Sequence, residues 1–172
     1  STAGHLTHMP AHIYNRIGRY ADSIAVNKAA IAADEAFLTR VGDAASPLYR
    51  FGYYPHNVHF LLVGAQNAGL KDEALAAADK LVSITSDEVS AQLAWVQAIR
   101  TAPYSAHAQF SSADEVLSLA RPSDDFPFVL GFWHYARGTV LAQAGRAVEA
   151  QAEAAAIDGL ISAGGFDTLE AQ

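Results

Sequence analysis

The strongest constraint on this chain is a repeat. Residues 4–20 (GHLTHMPAHIYNRIGRY) and 53–69 (YYPHNVHFLLVGAQNAG) align on Gly18 and Gly69, and the alignment sets His5 on His56 and His8 on His59. Polar residues recurring in register ahead of a helix-stopping glycine describe one helix used twice. A chain that reuses a helix in this way stacks helical units instead of building a sheet.

Composition agrees. The chain has 172 residues, 51% of them apolar, which suits one domain spanning 1–172 or a short repeat array with an extended core. Alanine is abundant and no run of alternating β-branched residues interrupts the helix formers, so the expected fold class is all-α. The net charge of -7 comes from acidic residues scattered along the helices. No basic stripe could neutralise phosphates, which argues against a nucleic-acid partner. With no cysteine, disulfides, thiolate nucleophiles and cysteine-ligated metals are excluded, and any metal must use histidine and oxygen ligands. No apolar run approaches the roughly 20 residues of a membrane span. Residues 1–8 lack the pattern of a signal peptide. The chain begins inside what reads as a helix, as a fragment of a longer protein would.

The punctuation predicts a string of helix hairpins. A first helix over about 4–17 ends at Gly18 and is either kinked at Pro10 or begins there, since proline lacks the backbone donor and crowds the preceding turn. Its partner runs from Tyr20 to about Thr39. Gly42, Asp43, Ser46 and Pro47 mark a linker, and a short helical turn follows through Leu48, Tyr49 and Phe51. A helix from about Pro55 to Gly69 pairs with one ending near Ile84. Ser86 or Asp87 caps the next helix, which Pro103 is expected to interrupt. Ser112 or Asp114 opens another, ended by Arg121-Pro122. The last pair covers about 127–144 and 148–162, joined by Gly145-Arg146.

Gly18-Arg19-Tyr20, Gly69-Leu70-Lys71-Asp72-Glu73-Ala74 and Gly145-Arg146-Ala147-Val148-Glu149-Ala150 resemble the turn and second-helix signature of tetratricopeptide repeats. His8-Met9-Pro10-Ala11-His12-Ile13-Tyr14, Tyr54-Pro55-His56-Asn57-Val58-His59-Phe60 and Trp133-His134-Tyr135-Ala136-Arg137-Gly138 look like motifs of a group of uncharacterised bacterial tetratricopeptide-repeat proteins. The resemblance implies a right-handed α-solenoid with repeats at about 4–37, 55–84, 97–122 and 131–164 and an insertion at about 38–54. The third repeat is irregular, because Ser111, Ser112 and Ala113 stand where a glycine and a bulky aromatic are expected.

In such an array the first helices line a concave wall, the usual place for ligands. By resemblance, His5, His8, His12, His56 and His59 face that groove. Steps of three, four and seven residues keep His5, His8 and His12 on one helix face. One expectation is a divalent metal such as zinc, copper or nickel held by some of these imidazoles. The other is that they bond one another, nearby tyrosines or backbone carbonyls and stiffen the wall. They would also charge together in acid, near a pKa of about 6.5. Asn15, Arg16, Gln66 and Asn67 would form a polar groove floor able to hold a peptide carboxylate, with Tyr135 making its far end aromatic. No Ser-His-Asp order, phosphate loop or catalytic carboxylate pair is present, so the expected role is a non-enzymatic scaffold for a peptide or protein segment, the alternative being a histidine-lined metal or small-molecule site in the groove, one that could be catalytic.

Overall fold

The computed structural model describes residues 4–167, and among them every regular element is helical. No helix among these residues is long and apolar enough to cross a membrane. The chain divides into two compact units, Ser1–Thr85 and Ser86–Gln172.

In the first unit, α1 (Gly4–His8) and α2 (Ala11–Arg16) are separated by a turn at Met9 and Pro10. Pro10 has φ -60°, already helical, and its carbonyl accepts from Ile13 and Tyr14, so α2 starts directly after the proline. Helix α3 (Tyr20–Val41) runs into a 3-10 turn (Gly42–Ala44). A π-helix (Tyr49–Tyr53) then feeds α4 (Tyr54–Asn67), and α5 (Lys71–Ile84) closes the unit. The turns before α3 and α5 are the same structure. Gly18 and Gly69 have φ 74° and 71°, and the amides of Arg19 and Leu70 reach back to the carbonyls of Tyr14 and Ala65, each at 2.9 Å. A side chain there would meet the left-handed penalty that glycine avoids.

Helix α3 packs against α1, α2 and α4, while α4 also meets α1 and α5. Leu62, Leu81 and Val58 are fully buried, and Ala11, Ala30, Ala65, Ala74 and Ala78 have no exposed surface. Small side chains at the crossings let the helices approach closely. At Gly4 the approach is extreme: a β-carbon would lie 1.9 Å from Asp34 Oδ1 and 2.7 Å from the Ala30 carbonyl oxygen.

The second unit contains α6 (Asp87–Gln92), α7 (Val96–Phe110), α8 (Ala113–Leu117), α9 (Pro127–Gln143) and α10 (Ala147–Ser162). Helix α9 packs against α7, α8 and α10, and Val116, Ala136, Val140 and Ala108 form a core under it. Ser112 caps α8 reciprocally with Glu115. Pro103 does not interrupt its helix: it lies inside α7, and the chain breaks instead at 93–95. An interior proline costs about 3 kcal/mol. Burial of Ile99, Ala102, Pro103 and Ala106 on one side of α7 offsets that loss.

Leu62 has no exposed surface. Leu62→Ala is expected to cost about 2–5 kcal/mol of stability, read as a lower urea midpoint in the full-length chain with helical circular dichroism retained at zero urea.

Candidate metal centre

The site lies wholly within the first unit and is built on a buried polar row along α3. Ser23, Asn27 and Asp34 all have no exposed surface. Asn27 Nδ2 donates to the Ser23 carbonyl at 2.8 Å, which turns its Oδ1 toward His8 Nδ1 at 2.7 Å. An amide oxygen only accepts, so His8 carries its proton on Nδ1 and presents a bare lone pair on Nε2.

That lone pair meets two more imidazoles. His8 Nε2 lies 3.0 Å from His12 Nε2 and 3.1 Å from His56 Nε2. Ligand atoms of His8, His12 and His56 all fall within 4.8 Å of one another. His8 and His12 come from consecutive turns on either side of Pro10, and His56 from the first turn of α4. One lone pair accepts one good hydrogen bond, so the second neighbour is poorly served by hydrogen bonding alone. A cation on the common side would satisfy all three nitrogens. Metal–nitrogen distances of about 2.0–2.1 Å at tetrahedral angles place ligand nitrogens roughly 3.3–3.4 Å apart, close to the separations of His8 Nε2 from the other two. The Asn27 oxygen supplies the outer partner that fixes the tautomer and orientation of a ligating histidine.

Phe60, one turn after His56, packs its ring against all three imidazoles, at 4.7 Å from His8, 4.5 Å from His12 and 4.8 Å from His56 between centroids. His5 stacks on Tyr53 at 4.3 Å and stands 5.7 Å from the His8 ring and 6.1 Å from the His56 ring. Its Nδ1 is buried without a hydrogen-bond partner. His59 does not join the converging nitrogens.

Burial favours the neutral form of His8, His12, His56 and His59. Burial lowers the pKa of His8 against the opposing effect of its Asn27 bond, with His12 and His5 adding to the lowering. Burial, then His5, lowers that of His12. Burial, and then the neighbouring histidines led by His8, bring His56 to about 4, and burial alone brings His59 to about 4. Neutral imidazole is the form that binds metal.

A second buried group braces the same helices. Asp34 accepts from Tyr49 Oη at 2.5 Å and from Asn57 Nδ2 at 2.7 Å, joining α3 to the π-helix and to α4. Burial raises the pKa of Asp34 despite these two bonds and pushes Tyr49 up to about 12. Next along α3, Glu35 accepts from Tyr54 Oη at 2.9 Å and from the Lys80 ammonium, tying α3 to α4 and α5.

The other residues singled out from the sequence lie elsewhere. Asn15 buries its Oδ1 without a partner, Arg16 is exposed in the last turn of α2, and Asn67 is exposed and bonds the Val63 carbonyl of its own helix. Gln66 is half-buried in α4. Tyr135 belongs to the second unit, where it lines a largely apolar cavity of about 370 Å³ between α9 and α10. Sequence reasoning passed over Asn27 and Phe60 as site residues. The available signal was an asparagine in the apolar stripe of α3, between Ile24 and Ile31.

His56 and His59 titrate lower in the fold than the 6.5 of a free imidazole. The unfolded chain therefore takes up protons first as pH falls, so their contribution to stability is complete above pH 6.5 and drains away toward pH 4. Urea midpoints of metal-stripped protein are expected to fall across that window, and His59→Leu should flatten the dependence. No family model, curated protein or solved structure matches the chain.

Proposed function

We propose that the chain is a tetratricopeptide-like helical scaffold whose first unit carries a divalent transition-metal centre ligated by His8, His12 and His56. The observation that carries this is the approach of His8 Nε2 to two other Nε2 atoms at 3.0 and 3.1 Å while its Nδ1 is committed to Asn27. A trio of neutral imidazoles without carboxylate or thiolate suits zinc, copper or nickel, and disfavours magnesium and calcium, which prefer oxygen. The role is binding and structural, not enzymatic. Around the trio stand amide, aromatic and further imidazole groups, with no nucleophile and base set against each other.

Support for the scaffold comes from the packing order. Within the first unit α4 lies against both α1 and α3, and within the second α9 lies against both α7 and α8. Each unit thus seats the first helix of one pair on the pair before it, which is how stacked repeats cover faces a single hairpin leaves open. A peptide or protein segment as a further ligand is the second reading. It is favoured by the cavity between α9 and α10, with Tyr135 49% exposed beside it.

Elemental analysis after incubation with zinc and gel filtration is expected to show about one equivalent bound per chain. Asn27→Ala should weaken binding roughly 10–100-fold, and the pair His8→Ala with His56→Ala should abolish it while helical circular dichroism persists. A zinc content unaffected by that pair would sink the assignment.

A further inference from the structure

We propose that His5 is the fourth ligand, so that the cation is enclosed by four imidazoles and cross-links α1, α2 and α4. This rests on the trio assigned above and goes on to say what fills its remaining position.

A tetrahedral cation held by three nitrogens has one place left, which either water or a fourth side chain takes. The Phe60 ring packs at 4.5–4.8 Å against His8, His12 and His56 and offers no lone pair. His5 stands one turn before His8 on α1 and beside the start of α4 through its stack on Tyr53. Its ring lies 5.7 Å from His8 and 6.1 Å from His56, against 4.7 Å for the hydrogen-bonded ring pairs of His8 with His12 and with His56. Its ring centre is 1.0 Å farther from His8 and 1.4 Å farther from His56 than those pairs, so coordination would require the His5 side chain to move inward.

Two further features favour that closure. The Nδ1 atom of His5 is buried and unpartnered. An orphaned buried polar group is destabilising, and coordination would give it a partner. Gly4 seats the start of α1 under Asp34, where not even a β-carbon fits, so the movement asked of His5 falls on its side chain. The ligand atoms of His5 and of His59, the remaining histidine of the unit, both lie outside the converging group, but only His5 has ring contacts with the trio among the described residues. His12 is the most open of the three and leaves a way in for the ion.

A closed site of this kind performs no chemistry on a substrate, because no exchangeable position remains. Its effect is mechanical. It would pin the two short helices before and after Pro10 to α4, where a five-residue α1 has little stability of its own.

Cobalt(II) reports the coordination directly. The full chain, stripped and reloaded with cobalt, is expected to give an intense tetrahedral visible spectrum that added azide leaves unchanged. His5→Ala and His5→Gln should each weaken cobalt binding by more than the roughly 10–100-fold expected of Asn27→Ala. Both should also make the spectrum azide-sensitive, and free imidazole should restore the spectrum of the unsubstituted protein. An azide shift in the unsubstituted protein, or cobalt affinity unchanged in both His5 variants, would overturn the fourth ligand while leaving the trio intact. Failure of the unsubstituted chain to take up cobalt would remove both.

Discussion

The first unit depends on polar groups buried along one side of α3. Asn27 and Asp34 are a heptad apart and wholly enclosed, and the Oδ1 of Asn27 and both carboxylate oxygens of Asp34 accept from elements packed across from α3. Asn27 fixes His8 of α1; Asp34 fixes Asn57 of α4 and Tyr49 of the π-helix. Because an unpaired polar group in a dry interior is costly, these contacts do more than add stability. They favour the register of α1 and α4 on α3 in which Asn27 meets His8 and Asp34 meets Asn57 and Tyr49, and in that register His8 Nε2 meets those of His12 and His56.

Local irregularities serve the same end. Pro10 divides what would have been one helix into α1 and α2, yet His8 and His12 still face each other across the break at 3.0 Å. The π-helix before α4 carries Tyr49 to Asp34 and Tyr53 to His5. Such wide turns often mark functional segments of helices. Helix α4 then repeats the spacing of four with His56 and Phe60, so a histidine pair on one helix is met by a histidine and a phenyl ring on the other.

The second unit treats a buried histidine differently. His134 Nδ1 lies 2.6 Å from Glu153, which also accepts from Arg137 Nε at 2.7 Å, and the Arg137 guanidinium covers the Trp133 ring. His134 thus bonds a carboxylate that joins α9 to α10, whereas His8 bonds the neutral amide oxygen of Asn27 over α3.

The sequence by itself determined the helices and most of their ends, since glycine at the left-handed turn positions and the caps at Ser86 and Ser112 act within a few residues. It also placed His5, His8 and His12 on one side of their segment, because helical periodicity is local. Pro103 shows the limit of such reasoning: its penalty is local too, but burial across α7 decided the outcome. Which imidazoles converge was a tertiary matter. His56 and His59 are three residues apart and repeat the spacing of His5 and His8, yet only His56 reaches His8, since the register of α4 on α3 is set by Asp34 and Asn57. Asn27 and Phe60 entered the site for the same reason, as an amide and a phenyl ring whose roles exist only once helices distant in sequence are pressed together.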